Sequence, residues 1–155
     1  MKPSTKNQAA VRRGRASKLK GKVFERAVVA AIRDWWPAAR RGLGQARDSG
    51  EECDVEGTPF WIECKHRKQV DVKAAVRQAE EDSLAAHEQH GQYTRPPVVI
   101  WRVHGTRTIH VTLRLALLVQ LTTGHRHLLD HNPLVQVTLD DWLGLFVKAG
   151  PEGSV

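Results

Sequence analysis

The chain has only two cysteines, Cys53 and Cys64, among 155 residues. Two cysteines cannot build a disulfide framework at this size, so a reduced, intracellular setting is expected, which for this chain means the cytoplasm. Long apolar runs are also missing. No segment approaches the roughly 20 residues that a membrane helix needs. The basic N-terminus is not followed by an apolar stretch, so no secretory signal is expected. Acid is absent from the first 22 residues, which hold Lys2, Lys6, Arg12, Arg13, Arg15, Lys18, Lys20 and Lys22. There is no internal repeat, and no low-complexity tract beyond this basic arm.

What remains is ordinary for one globular domain with one core: 41% hydrophobic and 26% charged residues. The formal net charge is +7, yet the residues after the arm carry 16 basic and 17 acidic side chains. The excess charge therefore belongs to the arm. Poor in large apolar residues, residues 1–20 are expected to be disordered when free. Their expected partner is a polyanion, nucleic acid by default, with Lys18, Lys20 and Lys22 among the contacts. A solvated tail that aids solubility is the plainer alternative.

From Gly21 the pattern turns helical, with Phe24, Val28, Ala31 and Trp35 on one stripe, widened by Val29, Ile32 and Trp36. Pro37 ends it. Residues 38–52 read as a loop or ragged strand. CDVEG and FWIECKH make a hairpin around Gly57, Thr58 and Pro59. Asp71 caps a second helix, from about Val72 to His90, that stops before Gly91. PPVVIWRVH, residues 96–104, reads as a central strand. A short strand is expected at Thr108–Val111, a buried helix at 113–121, a strand at Leu134–Leu139 and a helix at Asp140–Lys148. The order describes a mixed α/β domain, helices flanking one sheet, over residues 21–125. Residues 126–155 form a C-terminal extension packed on the same domain.

The stretch FWIECKHRK, residues 60–68, sets an acid and a base inside an apolar strand. Strand alternation points Trp61, Glu63 and Lys65 one way and Phe60, Ile62 and Cys64 into the core. Asp54, on the preceding strand, can reach Glu63 across the turn. Two close carboxylates raise each other's pKa unless a cation neutralises them, and Mg²⁺, a hard oxygen-seeking ion, fits that role. A lysine beside them can orient an attacking water and stabilise charge on a phosphate. Such a set suits phosphodiester hydrolysis; a simple surface ion pair of Lys65 with Glu63 or Asp54 is the alternative.

Several motifs in order strengthen the first option. They are G-K-x-x-E at Gly21–Glu25, R-D-S-G at Arg47–Gly50, Asp54, I-E-C-K at Ile62–Lys65, and Gln78 in the next helix. With these the chain, from about Gly21 to Val111, resembles the PD-(D/E)xK nuclease superfamily. The closest likeness is to the archaeal and phage Holliday junction resolvase-like branch. The resemblance implies a restriction-endonuclease-like αβββαβ core with a central mixed β-sheet. It implies a metal site of Glu25, Asp54, Glu63 and the backbone carbonyl of Cys64, with Lys65 and Gln78 completing the catalytic set. Mg²⁺ is the implied ion, with Mn²⁺ able to substitute.

The resemblance further implies a homodimer acting on branched DNA, with no membrane and no small-molecule cofactor, and a bacterial or phage-infected cell as the setting. Arg47 and Ser49 would approach the scissile phosphate, a role open also to Arg40 and Arg41. His66, Arg67 and Lys68 would form a basic rim for DNA. The chain departs from the family in one place: Cys53 stands where a proline precedes the first aspartate. Glu51, Glu52 and above all Glu56, of the same strand parity, therefore compete with Asp54. The sequence leaves open a nuclease of the same fold for linear or single-stranded DNA, or a non-catalytic DNA-binding module. His125, His127 and His131 with Asp130 lack a matching second ligand pair for zinc, and a polar loop is expected there.

Overall fold

The computed structural model describes residues 5–42, 53–91, 94–125 and 131–146. The chain begins with helix α1, Thr5–Ile32. Phe24, Val28, Val29 and Ile32 recur at helical spacing and are all buried. The helix reaches back through most of the segment expected to be disordered. The reason is cooperative: once the packed C-terminal half has formed, each added residue needs no new nucleus. Ala, Arg, Lys and Gln between Thr5 and Gly21 are good helix formers. Val11 and Leu19, large apolar residues of this half, are exposed.

Helix α1 stops at Ile32, four residues short of Trp36, where the stripe predicted its end. The amides of Trp35 and Trp36 turn back to the Ile32 carbonyl at 3.0 Å each, ahead of Pro37. Both tryptophans are half-buried against the core, and Trp35 Nε1 donates to the Phe146 carbonyl at 3.2 Å. Trp36 packs with Phe60, Trp142 and Phe146.

Two short strands follow, β1 (Arg40–Arg41) and β2 (Val55–Glu56), then β3 (Trp61–Arg67), α2 (Val72–His90) and β4 (Pro97–Val103). Asp71 caps α2, its carboxylate accepting from the Ala74 amide at 3.0 Å, and Gly91 closes the helix in the left-handed region. The chain continues with β5 (His110–Arg114), α3 (Leu115–Thr123), β6 (Leu134–Thr138) and α4 (Leu139–Leu143).

The six strands lie in sequence order in one mixed sheet, β3 and β4 parallel and the other neighbours antiparallel. Ile62, Val98, Ile100, Val111 and Leu113 meet α1 and α4 on one face. Trp61 and Val99 meet Ala75, Val76 and Ala79 of α2 on the other. The result is an α/β domain whose six-stranded mixed sheet is flanked by helices. The C-terminal residues share its core, since β6 extends the sheet and Trp142 is fully buried. No described helix is long and apolar enough to cross a membrane.

Other boundaries also differ from expectation: the helix placed at Asp140–Lys148 runs from Leu139 to Leu143. The strand placed at Thr108–Val111 runs instead from His110 to Arg114, and the helix placed at 113–121 starts at Leu115. LRLALL is apolar at every spacing except Arg114, so its pattern suits strand or helix alike. Pairing of Leu113 with Val135 and Arg114 with Leu134 decides it for the strand. Helix α3 has no fully buried residue, although a buried helix was expected.

Gly42 matters for where the site sits. Its amide donates to the Asp54 carbonyl at 2.8 Å, and a Cβ there would stand 2.1 Å from the Cys53 carbonyl oxygen. Replacing Gly42 by alanine should push the Asp54 segment away. A loss of about 1–3 kcal/mol is expected, read as a lower urea midpoint with unchanged m-value.

Candidate active site

Strand β3 sorts its side chains as alternation requires. Ile62 and Cys64 face α1 and the main core; Glu63 and Lys65 share the opposite face with Trp61, toward α2. Lys65 Nζ forms an ion pair with Glu63 Oε1, and both side chains are more than four-fifths buried, at 16% and 12% exposure. The same ammonium reaches Gln78 Oε1 of α2 at 3.4 Å. Three residues singled out in the sequence, Glu63, Lys65 and Gln78, are therefore assembled into one chain of contacts.

Asp54 joins them from the side. The pairing of Val55 with Ile62 sets Asp54 opposite Glu63 and Glu56 opposite Trp61. The Asp54 amide donates to the Ile62 carbonyl at 3.0 Å, and its Oδ2 accepts from the Cys64 amide at 2.7 Å. The carboxylate thus takes a main-chain donor that the short strand β2 does not use. Its pKa is pushed up to about 7, first by burial and next by the charge of Glu63, with Glu25 adding to the rise. The Cys64 N–H and Lys65 oppose it and lose. Burial, with the same three acids, holds the Cys64 thiol well above its ordinary range. That keeps the thiol protonated.

Glu25 lines one cleft with Asp54 but takes a cation of its own. Its Oε2 accepts from Arg41 Nε at 2.7 Å, bridging α1 to β1, although its charge still reaches Asp54. Glu56, the competitor of Asp54, points away to Arg40, at 2.7 Å on an exposed edge. Parity alone could not separate the two acids. Register does: two residues along a strand are about 6.6 Å, enough to move Glu56 beyond reach of Glu63.

Two clefts open onto the group. One, of about 260 Å³, is lined by Lys18, Gly21, Lys22, Glu25, Arg41 and Asp54 among others. The other, of about 140 Å³, is lined by Lys65, Arg67, Asp71 and Gln78 among others. Lys18 and Lys22 thus stand over the acids, which makes the basic stretch of α1 part of the site's rim. Lys20 is exposed, and its backbone hydrogen-bonds the His66 ring. Arg67 and Lys68 are exposed at the strand end.

His66 does not join them. Alternation turns it to the α1 side, onto Phe24 at 5.2 Å and His104 at 4.5 Å. Burial, followed by the nearby Arg102 and His104, holds its pKa below the usual histidine value. Arg47, Ser49, Glu51 and Glu52 lie outside the described residues, as do His127 and Asp130; His125 and His131 are exposed.

Sequence reasoning missed the pairing of Arg41 with Glu25, which joins residues 16 apart and has no local signal. It also missed Arg102 and His104. Arg102 had a signal: along VVIWRV it falls on the same parity as Val98 and Ile100, a charged side chain on a core face.

The donor set was weighed against a divalent cation. Among the described residues no three side chains of His, Cys, Asp or Glu converge as a cage for a metal ion. Asp54 and Glu63, opposite one another and unneutralised by any cation on Asp54 itself, fit the two-carboxylate mode that Mg²⁺ uses with water and phosphate oxygens. Comparison with protein-family models, with characterised proteins and with solved structures finds no match to this chain.

Proposed function

We propose that this protein is a metal-dependent DNA endonuclease that hydrolyses phosphodiester bonds in branched DNA, with a restriction-endonuclease-like core. The observation that carries the reading is the placement of Asp54 opposite Glu63, with Lys65 on the same face of β3 and in contact with Gln78. Acid, acid and lysine at one end of a sheet are the groups that this hydrolysis needs. The order α1, β1, β2, β3, α2, β4 supports the reading, because the PD-(D/E)xK resemblance implies an αβββαβ core.

What Mg²⁺, or Mn²⁺ in its place, supplies when bound is Lewis-acid neutralisation of phosphate charge. Asp54 and Glu63 would hold it, with the Cys64 carbonyl beside them and Glu25 joining once released from Arg41. Lys65 orients the attacking water and stabilises charge on the phosphate. Gln78 restrains the Lys65 ammonium. Lys18, Lys22 and Arg67 bind the DNA backbone without reading sequence, so affinity should fall steeply with salt. Symmetric cutting of a four-way junction calls for two such sites about a two-fold axis, hence a homodimer.

A second reading, a non-catalytic DNA-binding module, is favoured by one observation: Glu25 and Glu63 already have cationic partners. Incubation with labelled four-way junction and matched linear duplex, in Mg²⁺ or EDTA, separates the two. Symmetric, Mg²⁺-dependent nicks in the junction alone are the expected result. Equal cutting of the duplex would move the substrate to linear DNA. Binding without cutting of either would put the module first. In the same assay Glu56→Gln should cut within about twofold of wild type, since an exposed ion pair contributes ~0–1 kcal/mol. Loss of cleavage in that variant alone would mean that Glu56, and not Asp54, is the first acid.

A further inference from the structure

Away from the acids, on the α1 side of the sheet, three nitrogen-bearing side chains gather without an acid among them. His66 and Arg102 are direct neighbours in the parallel register of β3 and β4. The Arg102 guanidinium carbon stands 5.1 Å from the Phe24 ring centroid, and His66 packs 5.2 Å from the same ring. His104 closes the group: its amide donates to the Arg67 carbonyl at 2.9 Å, its Nε2 lies 3.1 Å from the His66 carbonyl, and its ring stands edge-on to His66. Phe24 precedes Glu25, so the group borders the proposed site along α1.

Two atoms here lack what buried polar atoms require. Among the described residues, His66 Nδ1 and Arg102 Nε are both buried with no hydrogen-bond partner. Among the described residues no carboxylate pairs with Arg102. Buried donors are almost always satisfied, and an exception calls for a missing water or ion. A guanidinium sharpens that requirement, because leaving a charged donor unpaired is the costlier case. Arg102 Nε can only donate and carries charge, so its partner must bring an acceptor and negative charge; His66 Nδ1 donates or accepts according to its tautomer and adds no preference of its own. A phosphate brings both, and the forked guanidinium matches its oxygens. A water would answer one donor and leave the charge.

We propose that His66, Arg102 and His104 form a second phosphate subsite, separate from the acids, which holds a backbone phosphate of the bound nucleic acid. The nucleic-acid source of that phosphate rests on the function proposed above; the anion subsite itself does not. His66 is about 10 Å from Glu63 along β3. At 3.4 Å of helix axis per phosphate on one strand, that is about three phosphates. The subsite would then fix the path of the strand on the α1 side, while Lys65 and Gln78 work from the α2 side.

The test uses the full chain, in EDTA so that cleavage plays no part. Inorganic phosphate is titrated while the imidazole NMR signals are followed. DNA affinity is measured against salt for wild type, Arg102→Gln and Arg102→Lys, each checked for folding by thermal melting. Phosphate should shift the His66 and His104 signals in wild type, and Arg102→Gln should abolish those shifts. Arg102→Gln should also weaken DNA binding about tenfold and lower the salt slope by about one. Arg102→Lys, if Gln impairs folding, should keep the slope but lose affinity, since lysine has the charge without the fork.

Wild-type signals that phosphate leaves unmoved would overturn the subsite. Phosphate shifts together with DNA affinity and slope unchanged in Arg102→Gln would assign it to free phosphate and overturn the strand-binding proposal. Failure of the cleavage assay above touches neither readout.

Discussion

Lys65→Ala is expected to lower DNA cleavage about a hundred- to a thousandfold, while DNA affinity in EDTA stays within about threefold of wild type. Lys65 lies on the Glu63 face of β3, held by Glu63 and by Gln78. A group so restrained does not suit a loose phosphate anchor, a role that the proposed function gives to the exposed Arg67. Its removal should therefore act on the chemical step. It also leaves the Glu63 carboxylate without its partner. Breaking a fully buried pair costs about 3–5 kcal/mol; here, with both side chains partly exposed, about 2 kcal/mol is expected. Urea unfolding beside the cleavage assay separates the two effects. A folded Lys65→Ala protein that cuts at the wild-type rate would remove the lysine from the mechanism.

Asp54→Asn carries the second large effect, and it needs no DNA to be seen. The Asp54 carboxyl titrates near 7 in the folded chain against 3.8 for the unperturbed group. Between those values the folded state keeps a proton that the unfolded chain has lost. Stability of the metal-free protein should accordingly decline as pH rises from about 4 to about 7, by up to ~4 kcal/mol, and level off above that. Asparagine cannot ionise, so the variant should lose this slope and melt higher than wild type at pH 8 in EDTA.

The same residue predicts a response to metal. Mg²⁺ that binds only the folded chain raises the melting temperature of wild type at pH 8. The asparagine variant should show no such rise, and no cleavage. A wild-type melting curve indifferent to pH across this window would contradict the burial of an ionising Asp54. A Mg²⁺ shift that survives in the variant would place the cation elsewhere.

Much of this site is legible without coordinates, and for a definite reason. A strand has a side-chain period of two, so FWIECKHRK already separates a core face from a face bearing Glu63 and Lys65. Asp71 and Gly91 mark both ends of α2 by local hydrogen-bonding and backbone rules, and the structure has them there. The mixed α/β character follows from the alternation of such segments.

Other choices depend on partners distant in sequence, which no local pattern encodes. LRLALL suits strand or helix, and only pairing with β6 makes Leu113 and Arg114 strand residues. Parity ranks Asp54 and Glu56 equally; the register of Val55 on Ile62 puts one beside Glu63 and sends the other to Arg40. Glu25 has no partner legible in its own helix, and only β1 brings Arg41 to it. His66 reads as one of three rim cations, yet alternation and the packing of Phe24 turn it inward, to Arg102 and His104. The sequence by itself determined which residue types occupy each face, because periodicity is local. Only the tertiary structure decided which acids and bases meet, because register and helix docking are set by burial of the whole core.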